Sequence, residues 1–283
     1  MNYRKGDRIK HPKLEEWGIG EVLEESGEEK VRAFFVGVGE KTLSLKHVQP
    51  LKVQGPEANH PLLDNLRISK VKGKIQYQSL AQSIQNFLER YPDGFYGERY
   101  LRCERSYKVR AHELALELLD QQTMHSLSSE YQYDQICQRS LKIVNATNLI
   151  FPNEKMALKD GLKQKENKKR FSEALSILLY GVGSLENRFL TFAETLEIIR
   201  AAKWTTASYF LFIIFPEKYV FIKPTATLNA ANLSAFEIYY RPELNWKTYK
   251  FVLEFSNYLK AELSTLRPRD MIDVQSFMWC IQQ

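Results

Sequence analysis

At 283 residues the chain has room for two ordinary domains. Its 44% hydrophobic and 26% charged residues fit a globular protein with a sizeable core and exclude a low-complexity or fibrous chain. The formal net charge of +6 is modest, and the most apolar stretch, Ala207 to Phe215, is far shorter than the ~20 residues that span a bilayer, so no membrane partner is expected. The opening Met1-Asn2-Tyr3-Arg4-Lys5 leads into a strand-like run without an apolar segment, so no secretory leader is expected and the expected compartment is the cytoplasm.

The first fifty residues carry the clearest pattern. Ile9 with its neighbours, Ile19–Glu24, Lys30–Val36, Lys41–Leu45 and His47–Leu51 read as five short strands, with alternation visible in Ile19/Glu21/Leu23 against Gly20/Val22. Gly27, amid Glu24, Glu25, Glu28 and Glu29, reads as a hairpin tip supplied with positive φ by glycine, and Gly37 and Gly39 are expected to do the same before the fourth strand. Five strands in so few residues predict an SH3-like barrel over 1–53, closed on itself with few free edges.

The run Gly6-Asp7-Arg8-Ile9-Lys10-His11-Pro12, then Gly18-Ile19-Gly20-Glu21-Val22-Leu23, then Lys30-Val31 leading to Phe34-Phe35, then Gly37-Val38-Gly39-Glu40-Lys41-Thr42-Leu43, resembles the Tudor-like domain at the C-terminus of UvrD/PcrA helicases. It is similar, more loosely, to the RNA-polymerase-interacting domains of CarD and of the transcription-repair coupling factor. The resemblance covers roughly residues 3–52. It implies a bacterial protein-docking module in a transcription or DNA-repair setting, with RNA polymerase as the expected partner. The surface expected to be read is Lys10, His11, Trp17, Arg32, Glu40, Lys41 and Thr42, with Trp17 and Arg32 foremost because interfaces favour those residue types. Trp17 as a core residue and Thr42 and Lys41 as ordinary edge residues are the structural alternatives. There is no G-x-x-x-x-G-K-[ST] phosphate loop, so an ATP-driven helicase motor is excluded.

From 54 to 78 the proline, glycine and asparagine of Gln54-Gly55-Pro56-Glu57-Ala58-Asn59-His60-Pro61 predict a linker. Residues 79–283 read as mainly helical, which makes the whole an α+β, multidomain chain. Leu80, Ile84, Phe87 and Leu88 recur at helix spacing up to Tyr91-Pro92, and Leu114, Leu118 and Leu119 continue the pattern. Phe171, Leu175, Leu178 and Leu179 form a stripe ending at Gly181. Ser184 is placed to cap Leu185–Arg200, and Asn245 to cap Trp246–Leu263. Trp204–Phe215, apolar nearly all round, predicts a buried central helix. Tyr219–Ile222 reads as a strand or extended segment, and Pro268 is expected in the first turn of the last helix.

Lys155 to Arg170 hold seven Lys/Arg against two acidic residues. Lys163, Lys165, Lys168, Lys169 and Arg170 therefore form the candidate contact for DNA or RNA, weighed against a solvated helix face. Arg99, Arg102, Arg105, Lys108 and Arg110, interleaved with Tyr96, Tyr100 and Tyr107, resemble a single-strand grip, but their spacing with Glu98 and Glu104 favours an exposed, salt-bridged helix. Asp270 and Asp273 could be paired catalytic carboxylates. Their place at a helix start favours a structural role, with Asp273 holding the last helix through a buried hydrogen bond.

The three cysteines, Cys103, Cys137 and Cys280, are far apart and read as buried thiols. No nucleophile elbow, metal spacing or cofactor fingerprint appears, so no catalytic residue, metal or cofactor is assigned. The reading is a non-enzymatic adaptor whose helical domain binds a second partner. A nucleic-acid binder is the first alternative. An enzyme with a site assembled from distant residues near Trp204, Lys223 and Asp270 is the second.

Overall fold

The computed structural model describes residues 2–67 and 77–281. Strands β1 (Arg8–Lys10), β2 (Ile19–Val22), β3 (Lys30–Phe35), β4 (Gly39–Ser44) and β5 (Leu51–Val53) form one antiparallel sheet in the order β4-β3-β2-β1-β5. A mainly helical region follows, so the chain is α+β.

Period-two alternation decides which side chains meet. On β3, Val31, Ala33 and Phe35 face inward and join Tyr3, Ile9, Val22 and Leu43 in a buried cluster, with Trp17, Val38, Leu45 and Val48 packed at its margin. Phe34 lies on the opposite face and is still only 2% exposed, because the Tyr77 ring meets it edge-on at 4.8 Å. The Arg8–Glu21 ion pair joins residues directly opposite in the β1–β2 register.

Three expectations are corrected here. Among the described residues the strand pairing does not run round a closed ring: β4 and β5 each have one strand neighbour. The fifth strand begins at Leu51, not at His47, since residues 45–47 form a turn and Pro50 has no N–H to give a ladder. Gly39 has the expected positive φ of 72°, but Gly27 and Gly37 do not. Gly37 is required for a different reason: a Cβ there would lie 2.1 Å from the Glu16 carbonyl oxygen. Since the obstacle is backbone, Gly37→Ala is expected to cost about 3 kcal/mol by overpacking. Urea denaturation checks this, and a loss below about 0.5 kcal/mol would contradict the close packing.

The chain divides into two units, Met1–Glu89 with Asn229–Glu237, and Arg90–Leu228 with Ile238–Gln283. The expected boundary at residue 78 thus falls inside the first unit, and the expected linker holds a 3-10 turn, Gly55–Ala58, and a short helix α1 (Pro61–Asp64). Residues 68–76 of that linker lie outside the described residues. Asp64 accepts from Arg8 at 2.7 Å, which fastens α1 to the sheet. The segment 229–237 belongs to this unit through backbone bonds. The Arg67 amide donates to Ala235, the Gln78 amide to Leu233, and Leu66 bridges Phe236.

Helix α2 (Leu80–Arg90) ends before Tyr91-Pro92, since a residue preceding proline disfavours the helical region. In the second unit α3 (Glu98–Tyr100) runs through a π-helical turn, Leu101–Arg105, into α4 (Ser106–Leu119). There follow α5 (Gln121–Ser129), α6 (Tyr133–Asn145), α7 (Pro152–Gly161), α8 (Lys165–Tyr180), α9 (Leu185–Ile198) and α10 (Trp204–Ile214). The chain ends with α11 (Pro224–Leu233), α12 (Trp246–Glu262) and α13 (Met271–Cys280).

Every residue of α10 is buried, and it packs against α4, α8 and α9. The Phe189 ring of α9 stacks on Tyr249 of α12 at 4.3 Å. Ser184 and Asn245 cap their helices by accepting from the Asn187 and Thr248 amides. Tyr219–Ile222, expected as a strand or extended segment, has no regular secondary structure. The last helix starts later than expected. Pro268 precedes it, Arg267 is left-handed at φ 53°, and Asp270 caps by accepting from the Ile272 and Asp273 amides.

Candidate functional site

The expected partner surface separates into two groups around β4. In the first, the imidazole Nδ1 of His11 accepts from the Lys13 and Leu14 amides at 3.2 and 3.0 Å, which fixes the ring. Trp17 then lies between His11, at 4.9 Å between ring centroids, and the core ring of Phe35, at 5.2 Å. Lys41 on β4 holds its Nζ 5.9 Å from the Trp17 centroid. Trp17 is therefore both a core-margin residue and partly open.

In the second group, Arg32 stands opposite Thr42, and Phe34 opposite Glu40, on the outer sheet face. Arg32 Nε donates to Glu40 at 2.5 Å and its guanidinium reaches Glu24 at 3.5 Å. The hydrogen bond with Glu40 holds the Arg32 pKa above its ordinary value. Lys10 is exposed on β1, paired in register with Ile19 and Leu51, and joins neither group. Glu40, Lys41 and Thr42 are consecutive and exposed on β4, which has β3 on one side and no strand on the other among the described residues.

The basic stretch lies along the α7–α8 connection and the first turns of α8. Lys163 pairs with Asp160 at 2.8 Å, Lys168 with Asp134, and Arg170 with Glu166 at 3.4 Å. Lys165 and Lys169 are exposed. Three of the five cations thus already face a carboxylate.

Sequence reasoning missed a buried polar network in the helical unit. Tyr100, Arg105 and Lys108, expected on an exposed salt-bridged helix, turn inward. The physical reason is that α13 brings them carboxylates and amides from some 165 residues away in sequence. Asp273 is 0% exposed and accepts from Arg269 Nε and its amide at 2.9 Å, from Arg105 at 2.9 Å and from the Tyr100 hydroxyl at 2.7 Å. Burial pushes this carboxyl up, but the Arg269 and Tyr100 hydrogen bonds and the Arg105 charge outweigh it and hold the pKa below the ordinary value. Arg105 also forks onto both oxygens of Asp270, at 2.7 and 2.6 Å.

Lys108 is 1% exposed. Its Nζ donates to Gln275 Oε1 and Ser276 Oγ, both at 2.8 Å, and Glu104 lies 3.9 Å away. Desolvation lowers its pKa to about 8, against the pull of Glu104. The signal for this network was α13 itself, a wholly apolar helix except for Asp273, Gln275 and Ser276, which need partners once buried. Asp270 and Asp273 act as cap and clasp, the structural role expected for them.

Trp204, Lys223 and Asp270 have separate partners among the described residues. Trp204 is buried with its indole donating to Arg241 at 2.8 Å, and Asp270 is committed to Arg105. Cys137 and Cys280 are buried, and burial pushes their thiols up to about 11 and about 12, while Cys103 is exposed, contrary to expectation. Among the described residues no cluster of three His, Cys, Asp or Glu could hold a metal ion, and no helix is long and apolar enough to cross a membrane.

The geometry defines a small antiparallel sheet module with an exposed edge strand, carried on a chain whose other unit is helical. Residues 3–53, the whole of that sheet, match a family model described as protein of unknown function (DUF3553). No curated protein and no solved structure matches the chain.

Proposed function

We propose that the chain is a non-enzymatic adaptor that docks on a protein partner through β4 of its N-terminal sheet, and that its helical unit engages a second partner. The observation that carries this reading is the edge of β4, which has no strand neighbour besides β3 among the described residues. Such an edge offers backbone donors and acceptors to an incoming strand, and flanking side chains then supply selectivity. Trp17, near both His11 and Lys41, supplies an aromatic anchor at one side, and the Arg32–Glu40 pair with Thr42 supplies a polar rim at the other. RNA polymerase is the partner proposed, on the strength of the resemblance to Tudor-like docking domains.

The test is retention of purified bacterial RNA polymerase by the immobilised full-length chain. Lys41→Glu reverses an exposed charge beside Trp17 without touching the core, and is expected to weaken retention about tenfold, or roughly 1.4 kcal/mol. Polymerase that is not retained by the unaltered chain, or is retained equally by Lys41→Glu, contradicts the proposal.

A further inference from the structure

The helical unit contains a pocket of about 150 Å³ lined by residues from four separate stretches of chain. Glu104 comes from the π-helical turn, Lys108 from α4, Asn148 from the α6–α7 connection, Lys223 from the entry to α11, and Gln275 and Trp279 from α13. Its volume is well below the ~300 Å³ at which sites for drug-sized molecules begin, so it fits a small head group and not a large ligand.

Its chemistry is that of a cationic cup. Lys223 has no carboxylate within ion-pairing distance among the described residues. Its ammonium is held instead over two aromatic faces, 4.3 Å from the Phe151 centroid and 5.2 Å from that of Trp279. Cation–π contacts position the charge without neutralising it. Lys108 spends two of its three N–H bonds on Gln275 and Ser276, and the nearest carboxylate, Glu104, stays at 3.9 Å. Because Gln275 presents its carbonyl oxygen to Lys108, its NH₂ group remains as a neutral donor on the pocket wall. The pocket lining itself carries two lysines and one glutamate, and Glu154 outside the lining attracts Lys223 without coming within ion-pairing distance. A π-helical turn, a conformation frequent at functional sites, supplies Glu104 to this wall.

We propose that this pocket binds an oxyanion, the phosphate or carboxylate group of a small ligand, between Lys223, Lys108 and the Gln275 amide. The anion adds negative charge beside Lys223 and Lys108 that Glu104 alone does not supply within the lining, and Asn148 is a further polar group of the pocket wall. Desolvation holds both lysine pKa values below their ordinary range, against the pull of Glu104 on Lys108 and of Glu154 on Lys223.

The test is isothermal titration calorimetry of the full-length chain at constant ionic strength and pH 7, with inorganic phosphate in one arm and acetate in the other. Saturable binding with one equivalent per chain is expected in at least one arm. The tighter arm tells a phosphorylated ligand from a carboxylic acid. Lys223→Gln keeps most of the side chain and removes the charge, and is expected to weaken binding at least tenfold. Lys165→Gln, on the exposed basic stretch, is expected to leave it within twofold. Neither anion binding saturably, Lys223→Gln binding within twofold of the unaltered chain, or Lys165→Gln losing as much as Lys223→Gln would each overturn the proposal.

Discussion

Replacing Asp273 by alanine is expected to destabilise the protein by about 3–5 kcal/mol, because removing one partner of a buried ionic network leaves the others uncompensated. Arg269 loses its carboxylate, Arg105 keeps only Asp270, and the buried Tyr100 hydroxyl loses its acceptor. Asp273→Asn keeps the volume and still disrupts the site, since its NH₂ would face donors that need an acceptor. The pH dependence has a definite sign. The folded-state pKa of Asp273 is depressed, so its contribution is present above the ordinary carboxylate range and is lost as pH falls through the folded value. Urea denaturation at pH 7 and at pH 3 should therefore show the gap between the native chain and Asp273→Ala narrowing on acidification. A gap below about 1 kcal/mol at pH 7, or one that widens in acid, would mean that the network contributes little.

Lys108 produces the opposite limb. Its folded pKa of about 8 lies below the unfolded value near 10.5, so the folded chain releases this proton first as pH rises. Between those values the unfolded state binds more protons, and stability rises with pH. Below about pH 8 the cost of burying the charge is present in full, about 3 kcal/mol. Glu104 and Asp273 pull this value up and Arg105 pulls it down, while Cys280 and Tyr107 stand close by with their own pKa values raised by burial. That thiol and that phenol oppose the rise above about pH 9, so the comparison belongs below it. From pH 7.5 to pH 9 the native chain should gain about 1 kcal/mol relative to Lys108→Met. Parallel stability profiles over that range would show that folded Lys108 keeps its proton throughout and that its pKa is not depressed.

What the sequence made legible was local. Ser184 and Asn245 announce their helices because a cap and its amide partner lie three residues apart. The buried α10 is visible in its own composition, and the strands of the N-terminal sheet in glycine placement and alternation. Non-local partners were not legible. Arg105 and Lys108 have the spacing of a solvated helix face, and only α13, far along the chain, turns them into a buried cluster. The last helix start was misplaced because Pro268 and Asp270 are both good start signals, and the aspartate's two amide bonds prevail. At the docking surface the residue types were readable, but the division into a Trp17 group and an Arg32 group comes from the β3–β4 register.

The assignment of Asn229–Glu237 to the first unit bears on the order in which the chain can fold during synthesis. A ribosome releases the complete five-stranded sheet early, yet the backbone acceptors for Arg67 and Gln78, at Ala235 and Leu233, emerge only after most of the helical unit. Completion of the first unit is therefore gated by the translation of the second. No single cut in the chain separates the two, and a shortened chain starting at residue 90 would carry Phe236 without Leu66, its bridge partner.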